Sequence, residues 1–475
     1  MTEVEPPPRR AVFLRVFPLI ALPILLSMVD QSIVATALPE IARTMEGGSA
    51  VVWVMVTYLM AAALSAPVFG RIADAKGRRE ILVVAVLLAM SGSLLCAMSQ
   101  NFAMLLASRA LQGMGGGAMH SVAMALVNQS VPARERARYQ GFIASLSITA
   151  NMAGPLVGAV LSHHLGWRSV FLLTPPLGLV AIYLVLRLPR SAAKGQRFRF
   201  DLTGFALLAV TVVSLLTFLF LLRPPLSAVP VALLALPAVT VLAAAVFVRT
   251  ERRAAAPLVP PALLVHPALW RANLLALCQG AQVGALIAFV PLYFSTARGV
   301  AQQDLGWAIL PMTIGLGLGA TIWGQVVGRS GRTAAITMTG MVQTAALLAG
   351  LTLLSGGLGN GTVSVLLGAV SFGIGSIMVV VQVTVSATAG EGFLGIGAGL
   401  VNLCRNIGAA LGTALAGVAL SIALDRLAGP GQAGALAAYE PAIISRAFAV
   451  VFATVCGFSV LAFALAATLP MRRIS

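Results

Sequence analysis

Charged side chains are scarce in this 475-residue chain: Asp, Glu, Lys and Arg together make up 9% of it, against a hydrophobic fraction of 59%. So little charge cannot solvate the surface of a water-borne globule of this size. Acids are the rarer sign, 14 against 31 Lys and Arg, which leaves a net charge of +17. Cysteine is limited to Cys96, Cys278, Cys404 and Cys456, all inside apolar runs and without metal-ligand spacing, so no disulfide framework is expected. His163 and His164 have no second ligand pair beside them, so no metal site is expected either. The runs hold no paired acid, nucleophile or metal constellation, and no Gly-x-x-x-x-Gly-Lys loop occurs anywhere. The chain therefore does not read as an enzyme or as a nucleotide-driven pump, and no cofactor is called for.

Apolar runs of about twenty residues fill the sequence instead, each long enough to cross a bilayer as a helix. Fourteen spans are expected, at 13–37, 51–70, 80–97, 103–127, 139–161, 169–187, 203–222, 229–248, 273–294, 305–326, 334–354, 362–387, 396–421 and 447–469. The stretch from Ala11 to Leu38 is too long for a signal-peptide core and contains Asp30, so it reads as a retained span. With both termini placed in the cytoplasm, the inner segments hold 23 of the 31 Lys and Arg. The outer loops hold 6: Arg43, Arg168, Arg223, Arg298, Arg426 and Arg446. That imbalance is the positive-inside signature, so the excess base reports orientation in the cytoplasmic (inner) membrane and not nucleic-acid binding.

Asp30 interrupts the first apolar run, in Leu-Leu-Ser-Met-Val-Asp30-Gln31-Ser-Ile-Val-Ala. A charge in hydrocarbon costs about 3 kcal/mol or more, so its presence points to work or to a partner. Arg109, six residues into the fourth span, lies about 9 Å outside the midplane by helical rise, and Asp30 about 8 Å outside it. The two charges share a depth, although Arg109 could also snorkel to the outer headgroups. Arg405 is a second intramembrane cation without an obvious carboxylate; capping of helix carbonyls is the commoner role for it, and contact with an anionic or polar substrate group the other. His120 could carry a proton, but a lone hydrogen-bonded histidine is the commoner case. Gln31, Gln112, His120, Asn151, Arg405 and Asn406 are the polar candidates for lining a substrate cavity.

An internal repeat divides the chain. Gly70 and Gly324, Gly77 and Gly331, and Arg78 and Arg332 each stand 254 residues apart, and the same offset carries Gly154 and Gly158 onto Gly408 and Gly412. Spans 1–6 then match spans 9–14, with spans 7 and 8 inserted at the periphery. The expected domains are an N-terminal six-helix bundle at 11–187, the inserted pair with its linkers at 188–270, and a C-terminal six-helix bundle at 271–470.

Three segments carry a family resemblance. Gly70-Arg71-Ile-Ala-Asp74-Ala-Lys-Gly77-Arg78-Arg79 resembles the signature loop of the major facilitator superfamily. Its glycines permit a tight turn and close backbone approach, Asp74 can accept from a helix N-terminus or an arginine, and the arginines stay at the inner surface. Arg109-Ala-Leu-Gln112-Gly113-Met-Gly115 is similar to a segment of drug:proton antiporters in that superfamily. Asn151-Met-Ala-Gly154-Pro155-Leu-Val-Gly158 resembles its Gly-Pro antiporter motif, where a small-residue face packs closely and a proline bends the helix, as a gate between the two halves would need. Together with Asp30 to Pro39, Trp167 to Phe171 and Asn402 to Gly408, the chain is similar to the fourteen-spanner drug:proton antiporters.

The resemblance implies the major facilitator fold and a secondary transporter. It implies export of small amphipathic drugs or toxic compounds in exchange for protons, with Asp30 protonating and Arg109 pairing with it across a shared cavity. The 70–79 loop becomes a conformational latch. An exporter of an endogenous metabolite, or a lipid flippase on the same scaffold, would read similarly. The protein is expected to work as a monomer in the lipid bilayer.

Overall fold

A computed structural model describes residues 9–45, 51, 53–130, 146, 150, 153–154, 157–158, 160–189, 200–222, 233, 235–254, 257–301, 304–354, 357–428 and 440–470. Their regular elements are helices, as they must be where no water is available to satisfy backbone groups. In chain order these are α1 (Arg9–Thr44), α2 (Trp53–Lys76), α3 (Arg78–Ala97), α4 (Phe102–Ser130), α5 (Arg168–Leu172), α6 (Thr174–Leu186), α7 (Leu202–Leu221) and α8 (Ala235–Glu251). They continue with α9 (Pro261–Val265), α10 (Pro267–Thr296), α11 (Leu305–Ser330), α12 (Thr333–Leu354), α13 (Asn360–Thr388), α14 (Leu394–Ala428) and α15 (Pro441–Ala467).

Local chemistry sets the ends. Asp201 caps α7 by accepting from the Gly204 amide at 2.8 Å, and the His266 ring opens α10 by accepting from the Ala268 amide at 3.2 Å. Prolines stand in the first turns of α6, α10 and α15, where a missing amide costs nothing. Between α2 and α3 the chain turns at Gly77 with φ 112, a left-handed value that favours glycine.

Eleven of the described helical stretches are long and apolar enough to cross a membrane, against the fourteen expected. The three outstanding spans have separate reasons. The run at 139–161 lies largely outside the described residues. The run at 229–248 yields α8, 17 residues long and short of a full crossing by this measure. The run at 103–127 forms α4, whose 29 residues are long enough but are diluted by Arg109, Gln112, His120 and several glycines.

Packing is organised by small residues. α2 lies along α4 and α11 along α13; α10 lies along α14, and α2 also meets α14. A Cβ at Gly70 would collide with the backbone of Gly395, so α2 and α14 touch there without intervening side chains. Gly154 and Gly158 face Ser32, Ile33 and Thr36 of α1, and Gly408 and Gly412 face Leu277 and Ala281 of α10. The small-residue face of the Gly-Pro motif thus packs within the N-terminal set of helices and not against the C-terminal set, because both glycines point towards α1. α7 and α8 pack on each other, and α7 also leans on α2 and α14.

Candidate functional site

α1 and α4 cross where their charges sit. Arg109 Nη1 donates to Asp30 Oδ2 at 2.8 Å and to Gln112 Oε1 at 2.6 Å, while Gln112 Nε2 donates to Asp30 Oδ1 at 2.5 Å. The three side chains form a closed ring of hydrogen bonds, with Arg109 fully buried and the Asp30 side chain 9% exposed. Helical spacing makes this possible: Arg109 and Gln112 are three apart on α4 and point the same way. An ion pair of this kind offsets the cost of burying either member, and loss of one partner costs about 3–5 kcal/mol.

Neighbours complete the setting. Arg109 Nε donates to the Val54 carbonyl at 3.2 Å, and its guanidinium lies over the Tyr58 ring at 4.4 Å from the centroid. Gln112 Nε2 also donates to Ser93 Oγ at 3.2 Å, and Ser93 Oγ donates to the Phe171 carbonyl at 2.6 Å. Ser93 has nothing in sequence to distinguish it, and Tyr58 could not be assigned to a pocket from sequence because aromatics in spans commonly serve packing or the interfacial belt.

Beside this cluster lies a cavity of about 290 Å³, bounded by α1, α2 and α4 on one side and by α10, α11, α13 and α14 on the other. His120, Arg405 and Asn406 line it, together with Gln279, Asn402 and the Tyr58 that supports Arg109. Gln112 does not; it serves the charge pair. Gln31 lies on α1 with its side chain outside the described residues, as do Asn151 and Pro155 altogether. Among the described residues, no three His, Cys, Asp or Glu side chains gather to hold a metal ion.

The 70–79 loop engages a distant helix. Asp74 accepts from the Gly395 amide at 2.9 Å and the Ile396 amide at 3.1 Å, at the start of α14. A carboxylate suits a helix N-terminus because the free amides and the helix dipole are positive there. Arg78 Nη2 donates to Asp74 Oδ1 at 2.8 Å and Arg78 Nη1 to Gln129 Oε1 at 2.6 Å, so the acid is oriented from α3 and α4 as well. Arg71 lies over the Phe393 ring at 5.6 Å, and Arg79 donates to the Leu186 carbonyl at 2.6 Å.

The family model described as Major Facilitator Superfamily matches residues 20–413. The chain belongs to the major facilitator superfamily. It is 33% identical over 427 residues to an uncharacterised MFS-type transporter of Mycobacterium tuberculosis, covering 87% of this chain and 60% of that protein. It therefore spans less than two thirds of that relative's length. It is 27% identical over 395 residues to the multidrug transporter protein MdtP of Bacillus subtilis, covering 83% of this chain and 73% of that protein. The solved structure of the proton:xylose symporter XylE superimposes with a TM-score of 0.63 at 14% identity, covering 96% of this chain and 95% of that one, which speaks to fold alone. The chain is a multi-pass membrane protein of this superfamily.

Proposed function

We propose that this transporter exports small amphipathic compounds across the cytoplasmic membrane in exchange for protons, by alternating access. Asp30 carries the proton and Arg109 is its counter-ion. The observation that carries this reading is the closed Asp30–Arg109–Gln112 ring, placed against the cavity through Tyr58. A proton on Asp30 removes the charge that Arg109 faces and turns a charge-assisted contact into a weaker one. The cluster then has two arrangements that differ by one proton, as coupling requires. Because Tyr58 lines the cavity and lies under the guanidinium, a ligand that moves the ring also moves the surface on which Arg109 rests.

The repeat of six helices, with 11–187 and 271–470 as moving halves and 188–270 inserted, fits the recurrence of α2 along α4 in α11 along α13. Asp74 at the start of α14 then acts as the latch between those halves. Similarity to one relative named a multidrug transporter and another named a multidrug resistance protein supports reading the cargo as amphipathic. The termini face the cytoplasm and the unit of function is the monomer.

The test is Asp30→Asn in proteoliposomes with an imposed proton gradient. Asparagine keeps size and polarity and cannot titrate, so substrate-dependent proton movement should vanish while the protein stays folded. Proton release of wild-type size from the Asn variant would refute the assignment.

A further inference from the structure

Among the described residues, the cavity lining holds a cation that faces no acid. Asp30 and Arg109 neutralise each other outside its lining, whereas Arg405 is part of the lining. Arg405 Nε donates to the neutral Gln279 Oε1 at 3.3 Å, and its Nη2 is buried with no hydrogen-bond partner among the described residues. Among the described residues the ion pairs are Arg78–Asp74 and Arg109–Asp30, and neither reaches Arg405. The rest of the described lining holds no acid: Met28, Ile287, Leu316 and Met378 supply hydrophobic surface, His120 adds an imidazole, and Asn402 stands one turn before Asn406 on the arginine's own helix.

Deepening the export reading, and resting on it, we infer that the cavity takes amphipathic compounds bearing one oxyanion, a carboxylate or sulfonate, which pairs with Arg405. A guanidinium left without a counter-charge in a low-dielectric cavity is unfavourable, and an oxyanion that meets its fork gains two parallel charge-assisted bonds. A cationic ligand would meet like charge with no acid in the described lining to offset it. The volume lies at the lower end of ligand sites, about 300–1,000 Å³, so the occupant is of bicyclic size and not a large polycycle. Its apolar rings would lie against the methionine and aliphatic wall.

Binding of three ring-matched probes to the purified full chain in nanodiscs tests this: 1-naphthoate, neutral 1-naphthamide and the cationic 1-naphthylmethylammonium. The wild type should bind naphthoate about tenfold tighter than the amide, as loss of one charge-assisted pair implies, and the ammonium weakest. Arg405→Gln should lose the preference for acid over amide while keeping its affinity for the amide, and Arg405→Lys should restore part of the preference. Equal binding of all three probes, preference for the ammonium, or an equal loss of all three in Arg405→Gln would overturn the inference; the last outcome would mark Arg405 as structural. Proton-driven export of naphthoate in proteoliposomes is scored separately. Acid-selective binding without export would refute the export reading and leave the site standing, and export of the ammonium without acid preference would do the reverse.

Discussion

Gln112 holds both members of the Asp30–Arg109 pair at once, donating to one and accepting from the other. Gln112→Leu would leave Asp30 Oδ1 without its donor in a buried setting, and a stranded buried polar atom costs about 1–3 kcal/mol. The variant should therefore unfold at lower temperature in a thermal-shift assay. Since Ser93 receives its second hydrogen bond from the same amide, adding Ser93→Ala to Gln112→Leu should cost less than Ser93→Ala costs alone. Equal costs in both backgrounds would show that the serine acts independently. The charged members of this cluster were legible in the sequence because a charge in an apolar run is conspicuous. Ser93 and Tyr58 were not, because hydroxyl groups are tolerated there and nothing in spacing ties residue 93 or 58 to residue 30.

Where the start of α7 meets the end of α8, a buried acid faces its neighbour's cap. Glu251 is 1% exposed and stands three residues beyond the apolar run 229–248. Its Oε2 accepts from the Val259 amide at 3.2 Å, while Glu251 Oε1 and Asp201 Oδ2 both lack partners among the described residues. Burial pushes the Glu251 carboxyl up to about 7, with the Asp201 charge adding to the rise and the Val259 and Leu258 amides and the Arg71 charge opposing it. The sign follows from linkage: between the ordinary value of 4.5 and about 7, the folded protein keeps a proton that the unfolded chain releases. Stability from this group is full below that window and falls as pH rises through it. Thermal midpoints should therefore decline across it in the wild type and decline less in Glu251→Gln; identical slopes would assign the trend to other groups. The helices themselves were readable from apolar length, whereas this pairing of their ends was not, since it depends on how α7 and α8 lean together.

For the molecule as a whole, the decisive contact joins residues 321 positions apart, Asp74 and Gly395. The loop spacing made Asp74 visible as an acid held between glycines and arginines, yet its receiving site is two backbone amides, which have no signature in sequence. Asp74→Asn keeps an acceptor oxygen and loses the charge that the helix N-terminus favours. Turnover in proteoliposomes should fall several-fold while equilibrium binding of substrate stays within about twofold, a difference small in free-energy terms. A large loss of affinity at normal turnover would contradict a latch. The superfamily fold was legible because hydrophobic runs, glycine spacing and the 254-residue offset agree. The number of crossings was less so, since α4 is long but polar and α8 apolar but short.

α7 lies against both α2 and α14, the two helices whose backbones touch at Gly70 and Gly395. On that flank the junction meets protein and not acyl chains. In this arrangement a compound dissolved in the bilayer has no direct lateral path to the two glycines on that flank. α7 thus seals that flank like a gasket, and any parting of α2 from α14 there would have to carry α7 with it.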